Sequence, residues 1–257
     1  MAGTALTRQP SRRLAEGLLT HVERTPIDLA LADRQHASYC GALAASGWRI
    51  RPVDPIEQCP DSVFVEDAVV VVDDLAVITR PGAPSRRPET AGAEKAVREL
   101  GLAVTRIEEP GTLDGGDVLQ VGSTVYVGRG SRTNAEGIRQ LRALLAPRGR
   151  TVVPVALGQV LHLKSAATAL PDGTVLALPN LVDTTVFPAV RAVVEEPGAH
   201  VVPLGGGAIL IAASAPRTAT ILADLGFTPV VVDISEFEKL EGCVTCLSVL
   251  LPSTPAA

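Results

Sequence analysis

The sequence predicts an α/β fold arranged as a propeller-like ring of five repeated units. Three observations point there. Five short segments rich in Val and Ile, at 48–53, 102–107, 151–155, 200–204 and 229–234, read as strands. Each follows a stretch that reads as a helix: 28–46, 88–100, 134–146, 185–196 and 216–225. Each is followed by a further apolar segment: 63–79, 118–127, 161–178, 208–213 and 243–251. The unit is therefore helix, strand, hairpin. Val104, Val153 and Val202 stand 49 residues apart, a period of the size found in solenoids and propellers.

In chain order, the helix at 28–46 has no hairpin before it. The hairpins at 63–79 and 118–127 split at the turn pairs Asp73-Asp74 and Gly122-Ser123. In the helix at 134–146, Ile138, Leu141, Leu144 and Leu145 share one face, Thr133 or Asn134 offers an N-cap, and Pro147 ends it. The hairpin at 161–178 splits at Asp172-Gly173. The fifth unit is shorter, and its hairpin at 243–251 has no helix after it. Closing the ring through the two chain ends completes both the first and the last unit. The plainer alternative is an α/β sandwich with a mixed sheet. No Pro/Gly-rich linker or change of composition divides the chain, so 1–257 reads as one domain.

Composition narrows the function. At 257 residues the chain is long enough to bury a full core without disulfides or a structural metal. With 46% hydrophobic and 20% charged residues it is globular. A net charge of −5, with four Phe, two Tyr and one Trp, gives neither the basic surface nor the stacking platforms of a nucleic-acid binder. No apolar run reaches the roughly 18 residues of a spanning helix. The first residues are basic without a following apolar stretch, which is not a secretory signal. Four cysteines without such a signal fit free thiols in the cytoplasm. A homodimer is left open.

In a ring of equivalent units, the segments after each strand meet near one axis. After the first come Asp61, Glu66 and Asp67; after the second, Asp114-Gly115-Gly116-Asp117; after the third, His162; after the fourth, Gly205-Gly206-Gly207; after the fifth, Cys243 and Cys246. Acids, a histidine and a thiol in one place supply cation binders, a proton carrier and a nucleophile. Each has a plainer reading. Surface acids are usually solvated turn residues, but Glu66 and Asp67 interrupt a valine-rich run where a charge is costly without a partner. Asp-Gly is a common turn signal. A lone His between Leu161 and Leu163 is more often a satisfied core residue. For Cys243-x-x-Cys246, no helix follows as a thioredoxin-type pair requires, and Cys40 and Cys59 are too far apart to complete a zinc site. One nucleophile with an inert neighbour and a wholly inert buried pair both remain.

The segments 61–67, 79–87, 113–117, 132–134, 161–165 and Thr245-Cys246 resemble dimethylarginine dimethylaminohydrolases, a branch of the guanidino-group-modifying enzymes. The resemblance runs in order over residues 16–251. It implies a five-bladed α/β propeller of ββαβ modules and hydrolysis of Nω-methylated arginines to citrulline and a methylamine. It matches Cys246 to the nucleophile, His162 to the general acid/base and Asp114 to the acid that orients it. It matches Asp61, Glu66 and Asp67 to guanidinium-binding acids, and Arg86 and Arg132 to the arginines that hold the substrate carboxylate. Leu19 falls on a mobile lid residue, and Leu240 on a residue whose carbonyl meets the substrate amino group. The small-molecule substrate is the expected partner; neither metal nor organic cofactor is required. The nearest rival is an arginine deiminase, which the resemblance makes longer by a helical insertion. Rivals of other classes are a Cys243/Cys246 redox protein and a ring-shaped binding module with a dead site.

Overall fold

The computed structural model describes residues 3–253. The chain opens with strand β1 (Gly3–Thr7), helix α1 (Leu29–Ala45) and strand β2 (Trp48–Pro52). Then β3 (Val69–Val72) and β4 (Leu75–Ile78) form a hairpin, α2 (Thr90–Glu99) crosses over, and β5 (Ala103–Arg106) returns parallel to β4. The same order repeats in β6 (Val118–Val121), β7 (Thr124–Arg129), α3 (Ala135–Leu145) and β8 (Thr151–Ala156). β9 (Ala167–Ala169), β10 (Val175–Ala177) and β11 (Val190–Ala192) make the next sheet, and β12 (Val201–Gly205), β13 (Ala208–Ala212), α4 (Pro216–Asp224) and β14 (Thr228–Val232) the one after. A single turn of helix, α5 (Ser235–Glu238), leads to β15 (Val249–Pro252).

β15 pairs antiparallel with β1, and β1 pairs parallel with β2. The first sheet is therefore closed by the two ends of the chain. The result is five three-stranded sheets, each an antiparallel pair plus one parallel strand. Residues of β3, β6, β9, β12 and β15 line one cavity of about 330 Å³, so the first strand of every hairpin faces the axis. This is the five-bladed α/β propeller that the repeat predicts.

The local reasons are those of the sequence. Asp73 and Gly122 take positive φ (55° and 57°) at the two hairpin turns, where the tight reversal calls for it. Asn134 caps α3 by accepting the Gly137 N–H at 2.8 Å. Ile138, Leu141 and Leu145 of α3 are buried against Val72, Val77, Val118 and Val127 of two neighbouring sheets. Each such side chain contributes roughly 1.5–3 kcal/mol by leaving water. No helix among the described residues is long and apolar enough to cross a membrane.

One predicted helix is absent. Residues 185–196 contain a short 3₁₀ turn (Thr184–Val186), the strand β11 and the start of a second 3₁₀ turn (Glu196–Ala199). Pro188 restricts Phe187 to extended backbone, and Thr184, Thr185, Val186, Val190, Val193 and Val194 favour strand over helix. This shifts the frame of the repeat. The segment at 200–204 is β12, the opening strand of the fourth hairpin, so Val202 is not equivalent to Val153. Gly205–Gly207 form the β12–β13 turn, all at positive φ. After β11 the chain runs through Val193–His200 into β12.

Candidate active site

Short irregular segments at one end of the ring carry the polar residues. Two 3₁₀ turns, Pro60–Val63 and Val65–Ala68, precede β3 and hold Asp61, Glu66 and Asp67. A third, Gly115–Asp117, precedes β6, and a fourth, Leu163–Ser165, follows His162. The turn at 243–247 precedes β15. Asp61, Asp67, Arg86, Arg132, His162, Leu240 and Cys246 all line one small cavity, with Leu18 over it.

His162 is 2% exposed. Its Nε2 lies 3.1 Å from Asp114 Oδ2, and its Nδ1 lies 3.9 Å from Asp67 Oδ1. Burial alone would lower its pKa, but Asp67, Asp114 and Asp117 outweigh it and raise the value to about 9. The ring therefore holds its proton at neutral pH. Asp114 is itself fixed, with Oδ1 accepting the Gly82 N–H at 2.8 Å. Asp117 accepts the Leu163 N–H at 2.9 Å and the Thr133 hydroxyl at 2.5 Å, which anchors the backbone beside His162. Burial raises the Asp117 pKa to about 6.

Asp67 is held differently. Burial would raise its pKa, but His162 and Arg86 together hold it well below the usual carboxylate range. Arg86 donates to Asp67 at 2.6 Å and to Glu89 at 3.0 and 2.8 Å, and its Nη2 also reaches the carbonyls of Asp61 and Phe64. Gly116 donates its N–H to Asp67 Oδ1 at 2.9 Å. A Cβ on Gly116 would fall 2.7 Å from His162 Nδ1 and 2.8 Å from Asp67 Oδ1. Asp-Gly-Gly-Asp is thus more than a turn signal, because the glycine lets histidine and carboxylate approach.

Glu66 departs from the expected arrangement. It faces the axial cavity rather than the one lined by Cys246, and its Oε1 accepts Lys164 Nζ at 2.6 Å. Its Oε2 is the one buried side-chain N or O atom among the described residues with no hydrogen-bond partner. Burial raises its pKa to about 7 despite Lys164.

Cys246 is 6% exposed, and its Sγ lies 3.2 Å from that of Cys243. The hydrogen bond it shares with Cys243, then burial and the negative charges of Glu66 and Asp67, push its thiol pKa up. Tyr39 pins the turn by donating to the Val244 carbonyl at 2.7 Å.

The segment 17–24 covers the cavity. Leu18 donates its N–H to both Asp61 oxygens at 3.0 and 3.2 Å. Thr20 and His21 donate theirs to Glu241 at 2.5 and 3.0 Å, and Arg132 reaches Thr20 Oγ1 at 3.4 Å. Beneath this cover about 20 Å³ is left, room for little more than a water. The leucine over the cavity is Leu18; Leu19 packs instead on the core cluster around Phe64 and Leu240. Sequence reasoning also missed Glu241, Glu89 and Asp117 as supports. Asp117 stood in view as the second acid of its motif, whereas nothing near Glu241 marks it. One ligand-type atom each from Asp67, Asp114 and His162 lies within 4.8 Å of the others, the one group among the described residues with metal-ligand character. Arg86 and Gly116 already hold Asp67, Gly82 holds Asp114, and His162 retains its proton.

The arginine deiminase family model matches residues 52–209. The N(G),N(G)-dimethylarginine dimethylaminohydrolase of Streptomyces coelicolor is 63% identical over 248 residues, 96% of either chain. This chain belongs to the dimethylarginine dimethylaminohydrolase family. Two solved dimethylarginine dimethylaminohydrolase structures superpose closely. An adduct of a histidine-to-glycine variant with S-methyl-L-thiocitrulline gives a TM-score of 0.91 at 37% identity, covering 98% of this chain and 100% of the other. A cysteine-to-serine mutant of the Pseudomonas aeruginosa enzyme with citrulline gives 0.89 at 37%, with the same coverage. The dimethylarginine dimethylaminohydrolase fold thus spans the described residues.

Proposed function

We propose that this chain hydrolyses Nω-methylated L-arginine to L-citrulline and methylamine or dimethylamine, with Cys246 as nucleophile and a covalent S-alkylthiouronium intermediate. The observation that carries this reading is His162 held between the Asp114 and Asp67 carboxylates, at 3.1 and 3.9 Å, in a cavity that Cys246 also lines. A guanidinium carbon is a weak electrophile with an amine as leaving group. It calls for a strong nucleophile and an acid that delivers a proton to nitrogen.

The cation supplies part of its own activation. Cys246 sits beside Glu66 and Asp67, which oppose a thiolate in the empty cavity. A guanidinium against these carboxylates reverses that field, so the thiolate forms once substrate is bound. Glu66 acts on the thiol through its charge from the axial side and does not line the cavity. The thiolate adds to the guanidinium carbon. His162 gives its proton to the methylated nitrogen, and the amine departs. Neutral His162, oriented by Asp114, then takes a proton from water as it attacks the thiouronium carbon. The adduct's hydroxyl proton passes through solvent to the departed amine as the C–S bond breaks, leaving citrulline and the thiolate.

Arg132 at the mouth, with the part of Arg86 that faces the cavity, takes the α-carboxylate and selects a free amino acid. The Leu240 carbonyl serves the ammonium end, and Asp61 stands with Asp67 as a guanidinium-binding acid. A molecule of that size enters only if the segment carrying Leu18 lifts, which exchanges the Leu18 N–H for substrate at Asp61. The test is citrulline release from asymmetric dimethylarginine by wild type and Cys246→Ser, with arginine in parallel. Release from the methylated substrate, lost in the variant, is expected. Release from arginine alone would move the chain to the deiminases.

A further inference from the structure

Cys243 has no part in the reaction proposed above, yet it lies closer to the nucleophile than any other described cysteine. The sulfurs are 3.2 Å apart, and the Cys246 N–H closes a turn onto the Cys243 carbonyl at 3.1 Å. The Cys243 N–H also points at Cys246 Sγ, at 3.5 Å. A disulfide needs about 2.05 Å between sulfurs, so closure asks for a movement of roughly 1 Å within a turn already formed. Both thiols are buried, but only Cys246 lines the active-site cavity. The other two cysteines have different neighbours: His36 at 3.9 Å for Cys40 and the Ser85 carbonyl at 3.6 Å for Cys59.

We propose that Cys243 is a resolving thiol, which turns oxidation of Cys246 by a small hydroperoxide into a reversible Cys243–Cys246 disulfide. The effect on turnover rests on the nucleophile reading above; formation of the bond does not. The Cys246 thiolate attacks the peroxide O–O bond, is oxidised by two electrons to the sulfenic acid and releases hydroxide. The Cys243 sulfur then attacks the sulfenic sulfur. The S–O bond breaks, and the departing oxygen leaves as water with the proton of the second thiol. Two thiols and one hydrogen peroxide give one disulfide and two waters. The peroxide reacts through the minor thiolate fraction of Cys246, and the sulfenic acid so formed meets the Cys243 sulfur 3.2 Å away, before a second peroxide reaches it. The bond removes the nucleophile while sparing it the irreversible sulfinic stage, and a dithiol restores it.

The sequence makes the test direct. No Lys or Arg follows Lys239, so trypsin releases one peptide, 240–257, that holds both cysteines and neither Cys40 nor Cys59. Full-length wild type and Cys243→Ser are treated with excess hydrogen peroxide. Each is then read by the mass of that peptide and by citrulline release before and after dithiothreitol. In wild type the peptide is expected to lose two hydrogens, with turnover lost and then largely recovered. In Cys243→Ser the peptide gains oxygen atoms and the lost turnover does not return. Cys243→Ala serves where serine disturbs the buried turn. A wild-type peptide that gains oxygen without losing hydrogen overturns the proposal, as does recovery in the variant equal to that of wild type. A disulfide in a protein that releases no citrulline before oxidation supports the bond and overturns the nucleophile reading.

Discussion

Gly116→Ala isolates the geometry of the site from its chemistry, because it removes no functional group. The new Cβ would lie 2.7 Å from His162 Nδ1 and 2.9 Å from its Cγ, about 0.7 Å short of the 3.4 Å at which ordinary contact begins. It would also lie 2.8 Å from Asp67 Oδ1. Neither neighbour can retreat freely. His162 is held by Asp114 at 3.1 Å, and Asp67 by Arg86 at 2.6 Å. Overpacking of this kind costs about 1–3 kcal/mol of stability. Displacing a proton donor by several tenths of an ångström costs on the order of 10- to 100-fold in turnover. The assay is kcat for citrulline release, with a melting curve to separate misplacement from unfolding. Gly41→Ala is the control: it lies within α1 with nothing within 4 Å of the added carbon, and it should stabilise by about 0.5–1 kcal/mol without touching kcat. A folded Gly116→Ala protein with wild-type kcat would refute the claim that the His162–Asp67 approach matters.

Three further outcomes are expected. His162 has its pKa raised from 6.5 to about 9, so the stability from its charged form is complete below pH 6.5 and fades as pH rises through about 9. Wild type should lose on the order of 3 kcal/mol over that window, seen as a falling Tm that His162→Asn flattens. Arg132→Ala should raise KM for methylarginine about 10- to 100-fold with a smaller change in kcat, and should leave KM for a carboxylate-free guanidine nearly unmoved. Asp117→Ala strips the buried Leu163 N–H of its acceptor. It should cost about 1–3 kcal/mol in denaturant unfolding and lower kcat with little change in KM.

What the sequence made legible follows from how local each signal is. The strands of the second and third sheets show as runs such as Val69–Val72, and α3 shows its face and its cap within eleven residues. The axial meeting of acids, histidine and thiol is legible because each stands just before or after such a run. Where several weak preferences compete, the reading failed. Residues 185–196 read as a helix, but Pro188 and five β-branched residues among the twelve favour a short strand between turns. Losing that helix also moved the fourth unit out of register. Irregular segments carry no periodicity to fix a position, and the sequence reading placed Leu19 at the cover where the structure has Leu18 lining the cavity. Long-range supports were invisible for a plainer reason. Glu241 meets Thr20 and His21 across more than 200 residues of chain, and only folding joins them.

The charges of the site divide into two groups, and the division bears on what the site binds. Asp67 is compensated within the protein by Arg86 and His162, and its pKa is depressed accordingly. Asp61 and Glu66 are not: burial leaves both with raised values, although Leu18 and Lys164 each offer a donor. Folding thus satisfies the carboxylate that tunes His162 and leaves Asp61 and Glu66 only partly compensated, the latter by Lys164 at 2.6 Å. A neutral ligand would relieve neither. A cation in the cavity that Asp61 and Asp67 line would add positive charge beside Asp61, in exchange for the Leu18 N–H. The same cation offsets the negative field at Cys246. Discrimination and activation then have one physical origin: the group that completes the pocket's charge is the group that makes its thiol reactive.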